Sequence, residues 1–118
     1  MSGFSDHDSW QPAVDIAETD KAVTLRVELA GVRSQDVRVR VDGDRVTVRG
    51  VRRAPEAHNP LRVHRMEIAF GPFERTIRVE VPFDPEQVSA HLEDGFLVVS
   101  LQKREPLRRR VAVTGESS

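Results

Sequence analysis

The sequence predicts an all-β fold, an antiparallel β-sandwich in one domain. Three observations carry this. Apolar residues recur with a period of two, as in Val23, Leu25, Val27 and Leu29 set against Thr24, Arg26 and Glu28. Turn signals punctuate the alternation at Ala30-Gly31, Asp42-Gly43, Gly71-Pro72 and Asp94-Gly95. No segment shows the 3.6-residue period of a helix.

Residues 1–12 read as a short flexible arm, small and polar except for Phe4 and Trp10. A first short strand is expected over Ala13 to Ala17, with Val14 and Ile16 in phase, followed by the clear strand 23–29. Val37, Val39 and Val41 alternate with Arg38 and Arg40. Val46 and Val48 continue the rhythm to Gly50. Aliphatics on one side and charges on the other suit an antiparallel sheet with one wet face. Residues 51–63 break the pattern with Arg52, Arg53, Pro55, Glu56, His58, Asn59 and Pro60, a loop longer than a hairpin needs.

A weaker strand follows, with Met66, Ile68 and Phe70 in phase. The next runs Phe73, Arg75, Ile77, Val79, Val81, so that a cation occupies one place in an apolar row. A buried cation needs a carboxylate or carbonyl partner, which Arg75 is therefore expected to have. Asp84-Pro85-Glu86-Gln87 has the cap and first-position proline of a single helical turn. Val88, Ala90 and Leu92 then alternate up to Asp94-Gly95. Phe96-Leu97-Val98-Val99-Ser100-Leu101 is apolar in both phases, the pattern of a central strand covered on both faces. Pro106 ends the body. The tail over 105–118 carries Val111 and Val113, which face the same way in an extended chain and need a partner from outside.

At 118 residues the chain supports one domain, here 13–104 between the arm and the tail. It has no cysteine, so neither disulfides nor thiolate chemistry enters. The first twelve residues contain no Lys or Arg and no apolar run, unlike a signal peptide, and no stretch is apolar enough to span a bilayer. A cytoplasmic protein is the expectation. The formal net charge of −1 selects neither nucleic acid nor membrane as partner. Arg108-Arg109-Arg110 has no aromatic platform beside it and reads as solvated.

An enzyme is not expected, because no nucleophile–base arrangement appears, and no catalytic residue is assigned. There is no phosphate-binding loop, and no cofactor is implied. His7, His58, His64 and His91 lack metal-ligand spacing. His91 falls on the polar phase of its strand, facing solvent.

The ordered motifs resemble the α-crystallin domain of small heat-shock proteins over roughly residues 12–113. Ala90, Gly95 and Leu97 stand as A-x-x-x-x-G-x-L, followed by alternating aliphatics and Lys103. Pro12, Asp15, Ile16, Glu18 and Thr19 match the opening P-x-x-D-I-x-E-T. Gly31-Val32 is similar to the P-G-V turn with Ala30 in place of Pro, and Val46-Thr47-Val48 before Gly50 to L-x-I-x-G. Phe70-Gly71-Pro72-Phe73-Glu74-Arg75 resembles Y-G-x-F-x-R, and Val111-Ala112-Val113 the terminal I-x-I. The departures are Glu80, where a Pro is common, Val in place of both tail isoleucines, and an arm far shorter than the usual one.

The resemblance implies an immunoglobulin-like antiparallel β-sandwich acting as an ATP-independent chaperone that holds unfolding client proteins. It implies a groove between the edge strands Val37-Val39-Val41 and Val88-Ala90-Leu92, filled by a tail or a client. It further implies self-association as a dimer or larger oligomer, with Met66, Ile68, Phe70 and Arg75 at the dimer contact. Under the same resemblance Val111 and Val113 dock on another subunit, and Phe4 and Trp10 touch clients. The alternative expectation is a CS-domain-like adaptor that docks on one specific partner.

Overall fold

The computed structural model describes residues 9–55, 60–104 and 110–116. Seven strands form among them: β1 Val14–Glu18, β2 Ala22–Glu28, β3 Val37–Asp42, β4 Arg45–Arg52, β5 Gly71–Arg78, β6 Phe83–Glu93 and β7 Phe96–Lys103. They lie in two antiparallel sheets, ordered β1-β2-β7-β6 and β3-β4-β5. A 3-10 turn, Ser34–Asp36, leads into β3.

The alternation of the sequence becomes the two-faced packing of a sandwich. Leu25 stands opposite Val99, Val27 opposite Leu97, and Val46 opposite Ile77. These side chains, with Val23, Val48, Phe73, Phe83 and Leu101, form one buried core between the sheets. The β6–β7 hairpin closes on Asp94 and Gly95, whose φ values of 52° and 83° are both positive. A type I′ turn requires that, and its twist matches the flanking strands.

Four expectations differ from the structure. β7 is central but not covered on both faces: Phe96 is exposed on the outer face, where the Arg26 guanidinium lies 5.5 Å from its ring centroid. Asp84–Gln87 is not a helical turn. It belongs to β6 as an irregularity between Phe83 and Val88, where Asp84 Oδ1 accepts a hydrogen bond from the Glu86 N–H at 3.0 Å. The Asp-Pro pair that caps a helix serves equally as a side-chain turn within a strand. Met66–Phe70 forms no strand within the chain and leaves Met66 82% and Ile68 69% exposed. Residues 9–12 are not a free arm. Trp10 forms a parallel bridge to Phe73, and Pro12 is fully buried.

Candidate functional site

β3 and β6 are each the outermost strand of their sheet, so among the described residues each has an outer edge with no neighbouring strand. Arg75 of β5 donates through Nη1 to the Pro12 carbonyl at 3.0 Å, just before β1. That bond and the Trp10 bridge set β5 beside β1 on one side of the sandwich. β3 and β6 therefore share the other side. Val37, Val39 and Val41 of β3, and Val88 and Leu92 of β6, are half-buried and packed against the common core. Ala90 is exposed. Two open edges thus present partly covered aliphatics, a surface suited to an added extended chain, whose backbone would pair while its alternate side chains bury.

Arg75 occupies the inward row of β5, opposite Val48. It is half-buried, and its partner is a carbonyl of its own chain, one of the two kinds expected. At the far end of the chain, Val111 is 73% and Val113 95% exposed, in a segment without regular structure. Neither is covered by a partner among the described residues.

Trp10 is half-buried. Its N–H donates to the Pro72 carbonyl at 3.1 Å, its carbonyl accepts from the Glu74 N–H at 3.1 Å, and Nε1 donates to the Gly71 carbonyl at 3.2 Å. Its ring centroid lies 5.3 Å from that of Phe73. Phe4 falls outside the described residues. Two residues whose roles the sequence does not state bear on this corner. Gly50 gives Phe73 its place, and Arg52 reaches Trp10, Ala30, Ala69 and Phe70. Nothing in the spacing marks Arg52, which sits beside Arg53 in what reads as loop chemistry.

The polar chemistry is that of a solvated surface. His91 is exposed and pairs with Glu93 at 3.2 Å. Arg53 donates through Nε and Nη2 to the two carboxylate oxygens of Asp36, at 2.9 and 3.1 Å, and holds the Asp36 carboxyl below its ordinary pKa. Among the described residues, no three His, Asp or Glu side chains converge as a metal ion requires. No helix among them is long and apolar enough to cross a membrane.

Together these features describe a two-sheet α-crystallin-type sandwich with open aliphatic edges. Comparison with known proteins agrees. The profile of the Hsp20/alpha crystallin family matches residues 15–114. Spore protein SP21 of Stigmatella aurantiaca is 35% identical over 107 residues, covering 88% of this chain and 63% of that protein. The structure of heat shock protein 16.0 from Schizosaccharomyces pombe superposes with a TM-score of 0.72 at 29% identity, over 90% of this chain and 77% of that one. A small heat-shock protein from Xylella fastidiosa, described as having a distinct high order structure, gives 0.77 at 25% identity, over 92% and 99%. The chain belongs to the Hsp20/alpha crystallin family, the small heat-shock proteins, which are not enzymes. It spans about two thirds of the length of the curated relatives it matches, from 63% to 69% among four of them.

Proposed function

We propose that the protein is an ATP-independent holding chaperone of the cytoplasm, which covers the apolar surface of unfolding clients before they meet one another. One observation carries this reading: apolar surface that the chain itself leaves uncovered runs along open strand edges. Unfolding proteins expose extended apolar segments, and such a segment can add to β3 or β6 while its side chains meet Val37, Val39, Val41, Val88, Ala90 and Leu92. Binding of this kind needs no nucleotide, only differential burial.

Self-association belongs to the same reading. Met66, Ile68 and Phe70 alternate, are exposed, and stand in a segment that joins no sheet among the described residues. β1 is also an outermost strand, and Ile16 on its inward phase, opposite Leu25, is 52% exposed. The Met66–Phe70 segment of one copy adds to β1 of another, near Arg75, and the dimer follows. Val111 and Val113 plug an open edge of a further copy, weakly enough to exchange with clients. Phe4 and Trp10 contribute apolar contacts to clients once the N-terminal segment leaves β5.

The test is hydrogen exchange of the full chain with and without a heat-unfolded client. Added protection is expected at the amides of β3 and β6. Protection confined to other strands, or none at all, contradicts the reading. A chain that stays monomeric and binds one partner only would favour an adaptor instead.

A further inference from the structure

Arg52 is the last residue of β4. Its guanidinium carbon lies 4.2 Å from the ring centroid of Trp10 and 5.6 Å from that of Phe70. Nε donates to the Ala69 carbonyl at 2.8 Å, Nη2 donates to the same oxygen, and Nη1 donates to the Ala30 carbonyl at 3.3 Å. Three otherwise separate pieces of chain therefore meet on one cation: the N-terminal bridge to β5, the end of the Met66–Phe70 segment, and the turn that follows β2. Behind Trp10 stands Phe73, 1% exposed, so an unbroken series of contacts runs from the core through Trp10 and Arg52 to Phe70.

We propose that Arg52 is a positioning residue that couples the docking of Trp10 to the seating of the Ala69–Phe70 backbone. A guanidinium can do both at once, because its flat face stacks on rings while its edge donates to carbonyls. An ammonium has no flat face and no fork. When Phe70 and Ala69 leave, Arg52 keeps one ring and one carbonyl, its rotamers are freed, and the outer side of Trp10 loses its cover. The backbone pairing of Trp10 with Pro72 and Glu74 does not involve Arg52, so the loss falls on the indole. The coupling rests on these contacts alone. Its consequence for assembly, that extending the exchange segment to another copy loosens the N-terminal segment, rests on the proposed function.

Trp10 is the only tryptophan and the chain has no tyrosine, so indole emission reports this site without interference. In the full chain, Arg52→Lys should raise acrylamide quenching of Trp10 and amide exchange at 66–70 together. Loss of one exposed cation–π contact makes the detached ring roughly two- to fivefold more populated. Phe70→Ala should raise quenching in the wild-type background and add nothing in the Arg52→Lys background. Unchanged Trp10 quenching in Arg52→Lys overturns the coupling, as does an equal effect of Phe70→Ala in both backgrounds. If Arg52→Lys does not fold, Phe70→Ala alone decides, since Trp10 quenching that ignores the loss of Phe70 is also fatal. The exchange reading fails separately, on mass: a Met66 and Ile68 variant that still associates removes it without touching the Trp10 result.

Discussion

Gly50 of β4 and Phe73 of β5 face each other across the sheet, and the Phe73 ring sits where a side chain at 50 would begin. A β-carbon on Gly50 would stand 2.8 Å from Phe73 Cζ and 2.1 Å from the Asp36 carbonyl oxygen. The second of these is backbone and cannot rotate aside. The absent side chain thus lets Phe73 enter the core and lets Trp10 stack upon it. Gly50→Ala should destabilise the sandwich by about 1–3 kcal/mol, the usual range for overpacking, and shift Trp10 emission to the red. Urea unfolding followed by fluorescence reads both, and an unchanged midpoint would mean that β3 and the 3-10 turn yield freely.

Arg75 ties β5 to the buried Pro12, just before β1. Because it is half-buried and bonded to one carbonyl rather than to a buried carboxylate, its loss is milder than that of a buried ion pair. Arg75→Met, which keeps most of the packing, should cost about 1–2 kcal/mol, within the range for a hydrogen bond to a charged group. Thermal unfolding of the two chains at one protein concentration measures it. A concentration-dependent difference would mean that Arg75 acts across a subunit contact as well.

Met66 and Ile68 are largely exposed and lie outside the buried core, so replacing both with Ser should leave the sandwich intact. Self-association should weaken, because burying such side chains is worth about 1.5–3 kcal/mol each. Sedimentation across a dilution series separates the outcomes: smaller mass with an unaltered far-ultraviolet spectrum is expected. A mass equal to the wild type at every concentration places the contact elsewhere.

The Asp36–Arg53 pair makes a prediction in pH. The Arg53 hydrogen bonds lower the Asp36 pKa in the folded state, with help from the charges of Arg53 and Arg33. A depressed carboxyl stabilises the fold above its unfolded pKa of about 3.9 and loses that contribution as pH falls through the folded value. Asp36→Asn should therefore lower the urea midpoint near neutrality, and the gap to the wild type should close in acid. A gap independent of pH would assign the effect to packing at the 3-10 turn.

The sandwich was legible because period-two alternation is a local signal, and most strands satisfy it inside their own chain. Val23 to Val27 and Leu97 to Leu101 could be read directly, as could the turn at Asp94-Gly95. The same signal runs through Met66–Phe70, which forms no strand in the single chain. Alternation encodes a face that wants covering, and it does not say whether the cover comes from the same chain. Asp84-Pro85 misled, since one hydrogen-bonding habit of Asp serves both helix caps and strand irregularities. Val37 to Val41 and Val88 to Leu92 were legible as strands, whereas their position as edges follows from sheet order, which no short motif states. Gly50 was legible as the end of a strand and Arg52 only as loop chemistry; their roles were not, because their partners are brought near only by folding.

The most direct test of the proposed holding function is light scattering from a heat-labile protein as it unfolds, with this chain added at substoichiometric to equimolar ratios and no nucleotide present. Open apolar edges predict suppressed scattering, with no further change on adding ATP. Scattering that rises as in the client alone, at every ratio and temperature, would contradict it.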